Sequence, residues 1–437
     1  MDSTDTICAM ATAPGKAGVA VIRISGPRAF DIGRKITHQR LKPRYAHYAS
    51  FYDAQDLVLD QGIAIYFPGP HSFTGDETVE LHTHGNPYVC QSVLNVLTNL
   101  GARLAIAGEF SERAFLNGKM DLAQLEAVAD LIASGSQKAA RSAVLSMQGK
   151  FSQQVHLVLS ELILIRTHIE ASLDFSEEDI ETETRSKVAE QLVSLAEQLD
   201  ELFTSAQQGV QLQQGATVVF TGKPNVGKSS LFNALCTEDR AIVTSVPGTT
   251  RDVVRADIQI NGMPIHLLDT AGIREQAELV EQEGIKRAQS AIDQADLVIH
   301  VTDKPDDHPG DKSCARVINV VNKIDINNPK NISKGVLKVS AKTGEGLTDL
   351  QNEIATALGI SASAGEPPFS ARERHLESLQ RCKNSITTAH ELINSLSPLE
   401  LAAEELRLAQ KSLAEITGEF TPDDLLDYIF REFCIGK

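Results

Sequence analysis

The sequence predicts a multidomain chain, in which an α+β domain comes first and an α/β domain is inserted into a helical domain. Residues 1–118 alternate short β-rich runs with turns, and residues 119–214 and 366–437 repeat apolar side chains at helical spacing. Residues 215–360 alternate strand and helix patterns around a glycine-rich loop. The length of 437 residues suits about two to four domains.

Strand patterns define the N-terminal domain. Apolar and β-branched residues are concentrated at 18–24, 62–67 and 78–82, and Gly-Pro turns end the first two runs. A helical pattern follows at 89–100. Strands and helices in this arrangement are typical of an α+β domain.

Residues 122–214 contain no proline and repeat Leu, Val and Ile every three or four positions. This pattern predicts two or three long helices. Helical patterns resume at 375–393, 399–416 and 425–433. Neither half alone would bury its apolar stripes well, so we expect the helices before and after the α/β domain to pack together. Two independent helical domains are the alternative.

The charge balance limits the classes of partner. The formal net charge is −17, which makes the chain a poor non-specific nucleic-acid binder, because phosphate contacts need cationic surface. Contact with RNA therefore requires a local basic patch or a partner protein. Six scattered cysteines without a C-x-x-C pair, an acidic start and no long apolar run predict a cytoplasmic protein without a zinc site or membrane span.

A glycine-rich loop predicts a phosphate-binding site. Residues 222–229 fit the G-x-x-x-x-G-K-[ST] pattern, between an apolar strand at 216–220 and a helix pattern at 230–235. The backbone N–H groups of such a loop turn toward phosphate oxygens. The Lys228 ammonium would neutralise the outer phosphates, and the Ser229 hydroxyl suits Mg²⁺.

Four further motifs follow in an order that predicts GTP as the nucleotide. Threonines within 247–252 can reach Mg²⁺ and the γ-phosphate, and the strand motif 267–272 carries an aspartate that can orient Mg²⁺ through water. Residues 320–325 end in a carboxylate that accepts two guanine N–H groups, whereas adenine presents the wrong donors; residues 339–342 can brace the base. The predicted nucleotide-binding residues are Asn225, Val226, Gly227, Lys228, Ser229, Ser230, Thr244, Ser245, Val246, Pro247, Gly248, Thr249, Thr250, Asp269, Thr270, Ala271, Gly272, Asn322, Lys323, Asp325, Ser340, Ala341 and Lys342.

The residue that orients the attacking water differs from the Ras-like pattern. Ile273 occupies the position of the usual glutamine, and an apolar side chain cannot polarise water. Asn225 places a neutral oxygen beside the phosphates, where a monovalent cation could supply positive charge. The acidic candidates for orienting water are Glu275, Glu278, Glu281 and Glu283.

These motifs resemble the translation-factor-related GTPases, and the flanking segments resemble one family in particular. The stretch Gly108–Leu122, the segments 80–85 and 168–175, and the ending Phe433–Lys437 look like signatures of the tRNA uridine-modification GTPases, the MnmE or TrmE family. The resemblance covers essentially the whole chain.

The resemblance implies a set of site residues. The N-terminal domain would be similar to tetrahydrofolate-binding folds and would mediate homodimerisation. Its formyl-tetrahydrofolate contacts would be Arg23, Glu80, Lys119 and Lys437. Potassium would be bound by Asn225, Thr244, Val246 and Thr249, and Mg²⁺ by Ser229 and Thr250. The implied catalytic residues are Glu281, which would orient water, with Asn225, Lys228 and Cys434. The role of Cys434 is left open between chemistry and packing.

The resemblance also implies a reaction. A potassium-activated GTPase would work with a flavin-dependent partner of the MnmG or GidA family on the wobble uridine of tRNA. The product would carry an aminomethyl or carboxymethylaminomethyl group, and folate would supply the one-carbon unit. Two alternatives stay open, a ribosome-assembly GTPase without covalent chemistry and a folate-binding regulator with a vestigial GTPase. The absence of an appended basic module weighs against the first, and the full motif set weighs against the second.

Overall fold

Two six-stranded sheets organise the chain, one in each of two compact units. The computed structural model describes residues 5–174, 178–238, 254–269, 290, 292–304, 316–327, 335–360, 368–419, 429, 430, 433 and 436. The first unit comprises Met1–Ala129 and Arg407–Lys437, and the second comprises Asp130–Leu406.

The first unit contains a mostly antiparallel sheet, and its described residues up to 118 form three helices. The strands are β1 (Ile7–Met10), β2 (Ala17–Ser25), β3 (His47–Tyr52), β4 (Val58–Phe67), β5 (Thr78–Gly85) and β6 (Arg103–Leu104), and the helices are α1 (Ala29–Thr37), α2 (Pro87–Asn99) and α3 (Glu109–Leu116). The strand order is β3-β4-β5-β2-β1-β6, with β1 and β6 parallel and the other neighbours antiparallel. The predicted strands and the predicted helix are confirmed.

Alternation along β2 and β5 decides which side chains form the core. Ile22 and Ile24 of β2 and Leu81 of β5 are fully buried in one cluster with residues of α1 and α2. Successive side chains on a strand point to opposite faces. The paired residues Arg23 and Glu80 therefore share the face away from this core.

The second unit contains a mostly parallel sheet. Its strands are β7 (Ala216–Thr221), β8 (Val254–Ile260), β9 (Met263–Asp269), β10 (Leu297–Thr302), β11 (Val317–Val321) and β12 (Val336–Lys338). The order is β12-β11-β10-β7-β9-β8, and only β8 and β9 pair antiparallel. The carboxyl ends of parallel strands meet at one edge, which is where ligands bind in such sheets.

The helices after α3 are, in chain order, α4 (Leu122–Ala133), α5 (Gln137–Met147), α6 (Lys150–Asp174), α7 (Glu178–Gln214), α8 (Lys228–Glu238), α9 (Leu347–Ala357), α10 (Glu373–Asn394) and α11 (Leu399–Thr417). Four helices therefore occupy the region in which the sequence predicted two or three. Ser136 explains one break, because its hydroxyl accepts a hydrogen bond from the Ala139 N–H and starts α5. Residues 134–138 contain no apolar side chain, so the apolar repeat also stops at this break, which the prediction of two or three helices overlooked.

Within the second unit, helices that precede the parallel sheet in the chain pack against a helix that follows it. Helix α7 contacts both α6 and α10. Arg372 donates to the buried Asp130 carboxylate, with 2.8 Å between NH2 and Oδ1. The Phe151 ring lies 4.8 Å from the Phe369 ring. The helices before and after the α/β domain were expected to pack together, and that packing requires contacts of this kind. No helix among the described residues is long and apolar enough to span a bilayer.

Candidate nucleotide-binding site

The phosphate-loop sequence forms a tight turn between β7 and α8. Gly222 has φ 138°, and a Cβ there would lie 2.1 Å from the Val301 carbonyl oxygen. Gly227 has φ 96°, and a Cβ there would lie 2.3 Å from Asn322 Nδ2. Asn225, between them, also has a positive φ of 63°. Side chains at the two glycine positions would collide with β10 and with residues 320–325, which the sequence predicts to recognise the base together with residues 339–342.

Lys228 begins α8 with its ammonium folded back into the loop. The residue is buried, and Nζ donates to the carbonyl oxygens of Gly222 at 3.1 Å and Lys223 at 2.9 Å. An ammonium held by loop carbonyls lies inside the turn whose N–H groups suit phosphate. The Lys228 ammonium therefore lies within the glycine-rich loop.

Ser229 and Asp269 form a pair of hard oxygen ligands. The Ser229 hydroxyl donates to Asp269 Oδ2 at 2.7 Å, and Asp269 is buried at the end of β9. A hydroxyl and a carboxylate beside a phosphate loop are the donor set that Mg²⁺ prefers. Elsewhere in the described part of the chain, no group of three or more His, Cys, Asp or Glu residues is placed to hold a metal ion.

The buried side chain of Asn322 joins the phosphate loop to the base-recognition segments. Its Nδ2 donates to the carbonyl oxygens of Val226 at 3.1 Å and Gly227 at 3.3 Å. Its Oδ1 accepts from the Ala341 N–H at 3.1 Å. One asparagine thus connects three of the motifs that the sequence ordered only along the chain.

Two further contacts complete this junction. Lys323 Nζ donates to the Asn225 carbonyl oxygen at 2.5 Å. The Ser340 hydroxyl donates to Asp325 Oδ1 at 2.8 Å and accepts from the Thr343 N–H at 3.2 Å. Asp325 is exposed although one oxygen is held, so its carboxylate is fixed in direction and accessible to a base.

The structure brings together the described members of the predicted nucleotide set at the carboxyl edge of the parallel sheet. Ser230 and Lys342 are exposed next to these segments. Sequence reasoning missed Val301, whose strand β10 supports the loop, because a backbone carbonyl leaves no signal in the sequence. The predicted residues that lie outside the described part of the chain are Thr244, Ser245, Val246, Pro247, Gly248, Thr249, Thr250, Thr270, Ala271, Gly272, Glu281, Cys434 and Lys437.

In the first unit, Arg23 and Glu80 form a half-buried ion pair. Arg23 NH2 lies 2.9 Å from Glu80 Oε1, and each side chain is 18% exposed. The Arg23 guanidinium carbon lies 5.0 Å from the centre of the Phe73 ring and 5.7 Å from that of Phe110. His82 Nε2 lies 3.5 Å from Glu80 Oε2. Phe110 is fully buried and Phe73 is partly exposed, so Phe73 is the one of these two rings that a planar heterocycle could stack on.

The other two predicted folate contacts are only partly placed. Lys119 is exposed, shortly after α3. A Cβ on Gly436 would lie 2.1 Å from the Met10 carbonyl oxygen, so this part of the tail lies against the end of β1. Strand β1 neighbours the strand that carries Arg23.

A partly buried ionic cluster at the start of α3 was not predicted. Glu109 Oε1 accepts from Arg103 NH2 at 2.6 Å and from Arg113 NH2 at 3.2 Å. Asp5 Oδ1 accepts from Arg113 NH2 at 2.5 Å. Burial raises the pKa of Glu109, but hydrogen bonds from Arg103 and Ile106 and the nearby cationic charge outweigh it, so the pKa lies below its ordinary value. The spacing of Glu109 and Arg113 by four residues was the only sign of this cluster in the sequence.

Comparisons with known proteins assign the chain to a family. Residues 122–434 match the MnmE helical domain, and residues 6–119 match the N-terminus of the GTP-binding protein TrmE. The tRNA modification GTPase MnmE of Hydrogenovibrio crunogenus is 48% identical over an alignment of 448 positions, which covers 100% of this chain and 99% of that protein. The chain belongs to the MnmE (TrmE) family. The resemblance read from the sequence is thereby confirmed.

Other relatives in the MnmE family agree. The tRNA modification GTPases MnmE of Saccharophagus degradans and Marinobacter nauticus are 46% and 47% identical over 453 and 454 residues, covering 100% of this chain and 99% of each relative. Among solved structures, the G domain of the T. maritima FeoB iron transporter is 26% identical over 32% of this chain and 98% of that chain. Its TM-score of 0.25 is too low to support a conclusion about the fold.

Proposed function

We propose that this chain is a potassium-activated GTPase that, with a flavin-dependent partner, modifies the wobble uridine of certain tRNAs. The modification adds an aminomethyl or carboxymethylaminomethyl group, using a one-carbon unit from formyl-tetrahydrofolate. GTP hydrolysis changes the shape of a homodimer and does not itself alkylate the base. Full-length similarity to MnmE proteins named as tRNA modification GTPases supports this function.

The observation that carries the nucleotide part is the position of Asn322. Its side chain bonds to the phosphate loop and to the Ala341 N–H at once. A nucleotide whose phosphates occupy the loop would therefore meet Asp325 with its base. The Asp325 carboxylate can accept hydrogen bonds from two adjacent N–H groups of guanine. Adenine does not present two N–H groups in that arrangement, so GTP is the preferred substrate.

The chain's own groups account for charge neutralisation. Lys228 Nζ would exchange its loop carbonyls for phosphate oxygens, and Ser229 with Asp269 would hold Mg²⁺ and its water. Asn225 offers an amide oxygen for K⁺, together with Thr244, Val246 and Thr249, and Thr250 would be the second protein ligand of Mg²⁺. When bound, K⁺ supplies the positive charge that an arginine provides in other GTPases.

Glu281 is proposed to orient the attacking water, which Ile273 cannot polarise, because the family resemblance selects it from the four acidic candidates. We expect Glu281→Ala to abolish hydrolysis and leave GTP binding near that of the wild type. Glu278→Ala is the matched control, since it removes a carboxylate from the same segment. Phosphate release measures the hydrolysis rate, and titration with a fluorescent GTP analogue measures the dissociation constant. Equal turnover in Na⁺ and K⁺ would refute the role of potassium.

The N-terminal domain, residues 1–118, is proposed to bind folate and to dimerise. The Arg23–Glu80 pair beside two phenylalanine rings fits a pterin, whose N–H groups suit the carboxylate, while Lys119 and Lys437 suit the glutamyl tail. Cys434 is proposed to take part in the modification, and its role is either chemical or structural. The reactivity of its thiol would decide between the two.

The domain assignment and location complete the proposal. Residues 119–214 with 366–437 form the helical domain, and residues 215–360 form the inserted GTPase domain. The described cysteines, Cys8, Cys90, Cys236 and Cys382, are all free. Free thiols suit the cytoplasm, where tRNA modification takes place.

The deciding experiment is nucleoside mass spectrometry of bulk tRNA from a strain that lacks this chain. The modified wobble uridine should disappear. It should return when the wild type or Lys223→Ala is supplied, and should not return with Lys228→Ala, because the Lys228 ammonium is buried inside the phosphate loop whereas Lys223 is exposed. Unchanged nucleosides together with a ribosome-subunit defect would favour the alternative, a ribosome-assembly switch without covalent chemistry.

A further inference from the structure

A short basic segment stands out from this acidic chain. Residues 34–48 carry five Lys or Arg and no Asp or Glu, in a protein of net charge −17. We call this stretch the basic–aromatic segment. Its cations are Arg34, Lys35, Arg40, Lys42 and Arg44, and its exposed tyrosines are Tyr45 and Tyr48. It covers the end of α1, the following loop and the start of β3, the edge strand of its sheet.

The positive charge of the segment is accessible. All five cations are exposed. Arg34 lies 3.8 Å from Asp31, and among the described residues this is the single carboxylate within 4 Å of any of the five. The nearby Asp56 is paired with His38 at 3.4 Å. The Arg44 guanidinium also donates to the His71 carbonyl oxygen at 2.5 Å, which leaves its charge unneutralised. Lys35, Arg40, Lys42 and Arg44 therefore have no carboxylate within 4 Å in the part of the chain that the structure describes.

The segment is also held in shape. Leu41 is 2% exposed and anchors the loop in the core of the sheet. The Arg44 N–H donates to the Tyr66 carbonyl oxygen at 2.8 Å, and the Lys42 N–H donates to His47 Nε2 at 2.7 Å. Because the backbone is already fixed, binding would order little more than side chains.

Aromatic rings lie among these cations. Tyr45 is 58% exposed and Tyr48 is 72% exposed. The Tyr45 ring meets the His47 ring edge to face at 4.8 Å, and Lys42 Nζ lies 5.9 Å from its centre. Proteins that bind single-stranded nucleic acids combine cations, which contact the phosphate backbone, with exposed aromatic rings, on which the bases stack.

We propose that the basic–aromatic segment is the surface through which this chain binds tRNA. The cations contact backbone phosphates, and Tyr45 and Tyr48 stack on unpaired bases. The inference rests on the proposed function in tRNA modification, and it names the contact surface. An anionic membrane fits less well, because the two large aliphatic side chains of the segment, Ile36 and Leu41, are buried and none is left to enter a bilayer.

Charge neutralisation tests the phosphate contacts. The variant Arg40→Gln/Lys42→Gln/Arg44→Gln should weaken binding of bulk tRNA by the full-length protein. The slope of log K against log salt should fall by about 2 to 3, since each lost phosphate contact contributes about 0.7 to 0.9. The control Lys150→Gln/Lys187→Gln/Lys411→Gln removes the same charge from exposed helical positions and should leave the slope unchanged.

Removal of the rings tests the stacking contacts separately. Tyr45→Ala/Tyr48→Ala should weaken tRNA binding about tenfold or more and leave the salt slope unchanged, because stacking releases no counterions. Tyr88→Ala, at another exposed tyrosine, is the control and should bind like the wild type. Circular dichroism and thermal unfolding like those of the wild type would show that all variants are folded.

Three results would overturn the proposal. One is tRNA binding by the charge variant with the affinity and slope of the wild type. Another is a charge variant that no longer binds phosphatidylglycerol vesicles but still binds tRNA like the wild type. The third is a change in oligomeric mass of the charge variant, which would make the segment an interface between copies.

Complementation separates this inference from the proposed function. If the deletion strain loses the modified nucleoside and the charge variant restores it fully, the function stands and the basic–aromatic segment is not the tRNA surface. If the deletion strain keeps the nucleoside, the proposed function itself is wrong.

Discussion

Replacement of Asn322 by alanine is the sharpest test of the nucleotide site. Its side chain makes three hydrogen bonds, two to phosphate-loop carbonyls and one from the Ala341 N–H, and the residue is 2% exposed. At about 1 kcal/mol net each, the three bonds favour the assembled site by about 3 kcal/mol. A loss of that size reduces the population of the assembled site by up to about a hundredfold, and the apparent Kd rises by the same factor.

The assay is a fluorescence titration of the full-length protein with a labelled GDP analogue. Asn319→Ala is the matched control, because it removes an asparagine from β11, the strand that leads into Asn322, and the Asn319 Oδ1 is buried without a hydrogen-bond partner. It should change the Kd by less than about threefold. Circular dichroism and thermal unfolding would show that both variants fold. An Asn322→Ala protein that binds as tightly as Asn319→Ala would refute the reasoning.

Three further predictions follow from local geometry. Gly227→Ala should abolish nucleotide binding in the same titration, because its Cβ would lie 2.3 Å from Asn322 Nδ2, whereas Gly335→Ala, at φ 90° with open space, should bind normally. Glu109→Gln should lower the Tm at pH 7. The deficit should shrink as pH falls below about 4.5, since a carboxylate with a lowered folded pKa stabilises the fold only while it is ionised. Burial raises the pKa of Cys382 to about 12, so mass spectrometry should find it unmodified by iodoacetamide at pH 8 until the chain unfolds.

The GTPase motifs were readable from the sequence because each requires a particular residue at a fixed spacing. Glycine must adopt positive φ or allow close approach, as Gly227 does, and a lysine and a serine must begin the following helix. Alternation of apolar residues likewise indicated which face each strand residue takes, whereas Arg23 and Glu80 were named only through the family resemblance and their pairing follows from the register of β2 and β5. The family resemblance rested on signature segments that survive as local sequence.

Contacts between distant segments were decided only by the tertiary structure. The link from Asn322 to the phosphate loop and the cluster around Glu109 join residues far apart in sequence or depend on backbone carbonyls. The same is true of the rings of Phe73 and Phe110 beside Arg23. A spacing pattern reports which face a side chain takes on its own strand or helix. Partners across the fold follow from how the elements pack, because a hydrogen bond depends on distance in space and the chain order does not set that distance.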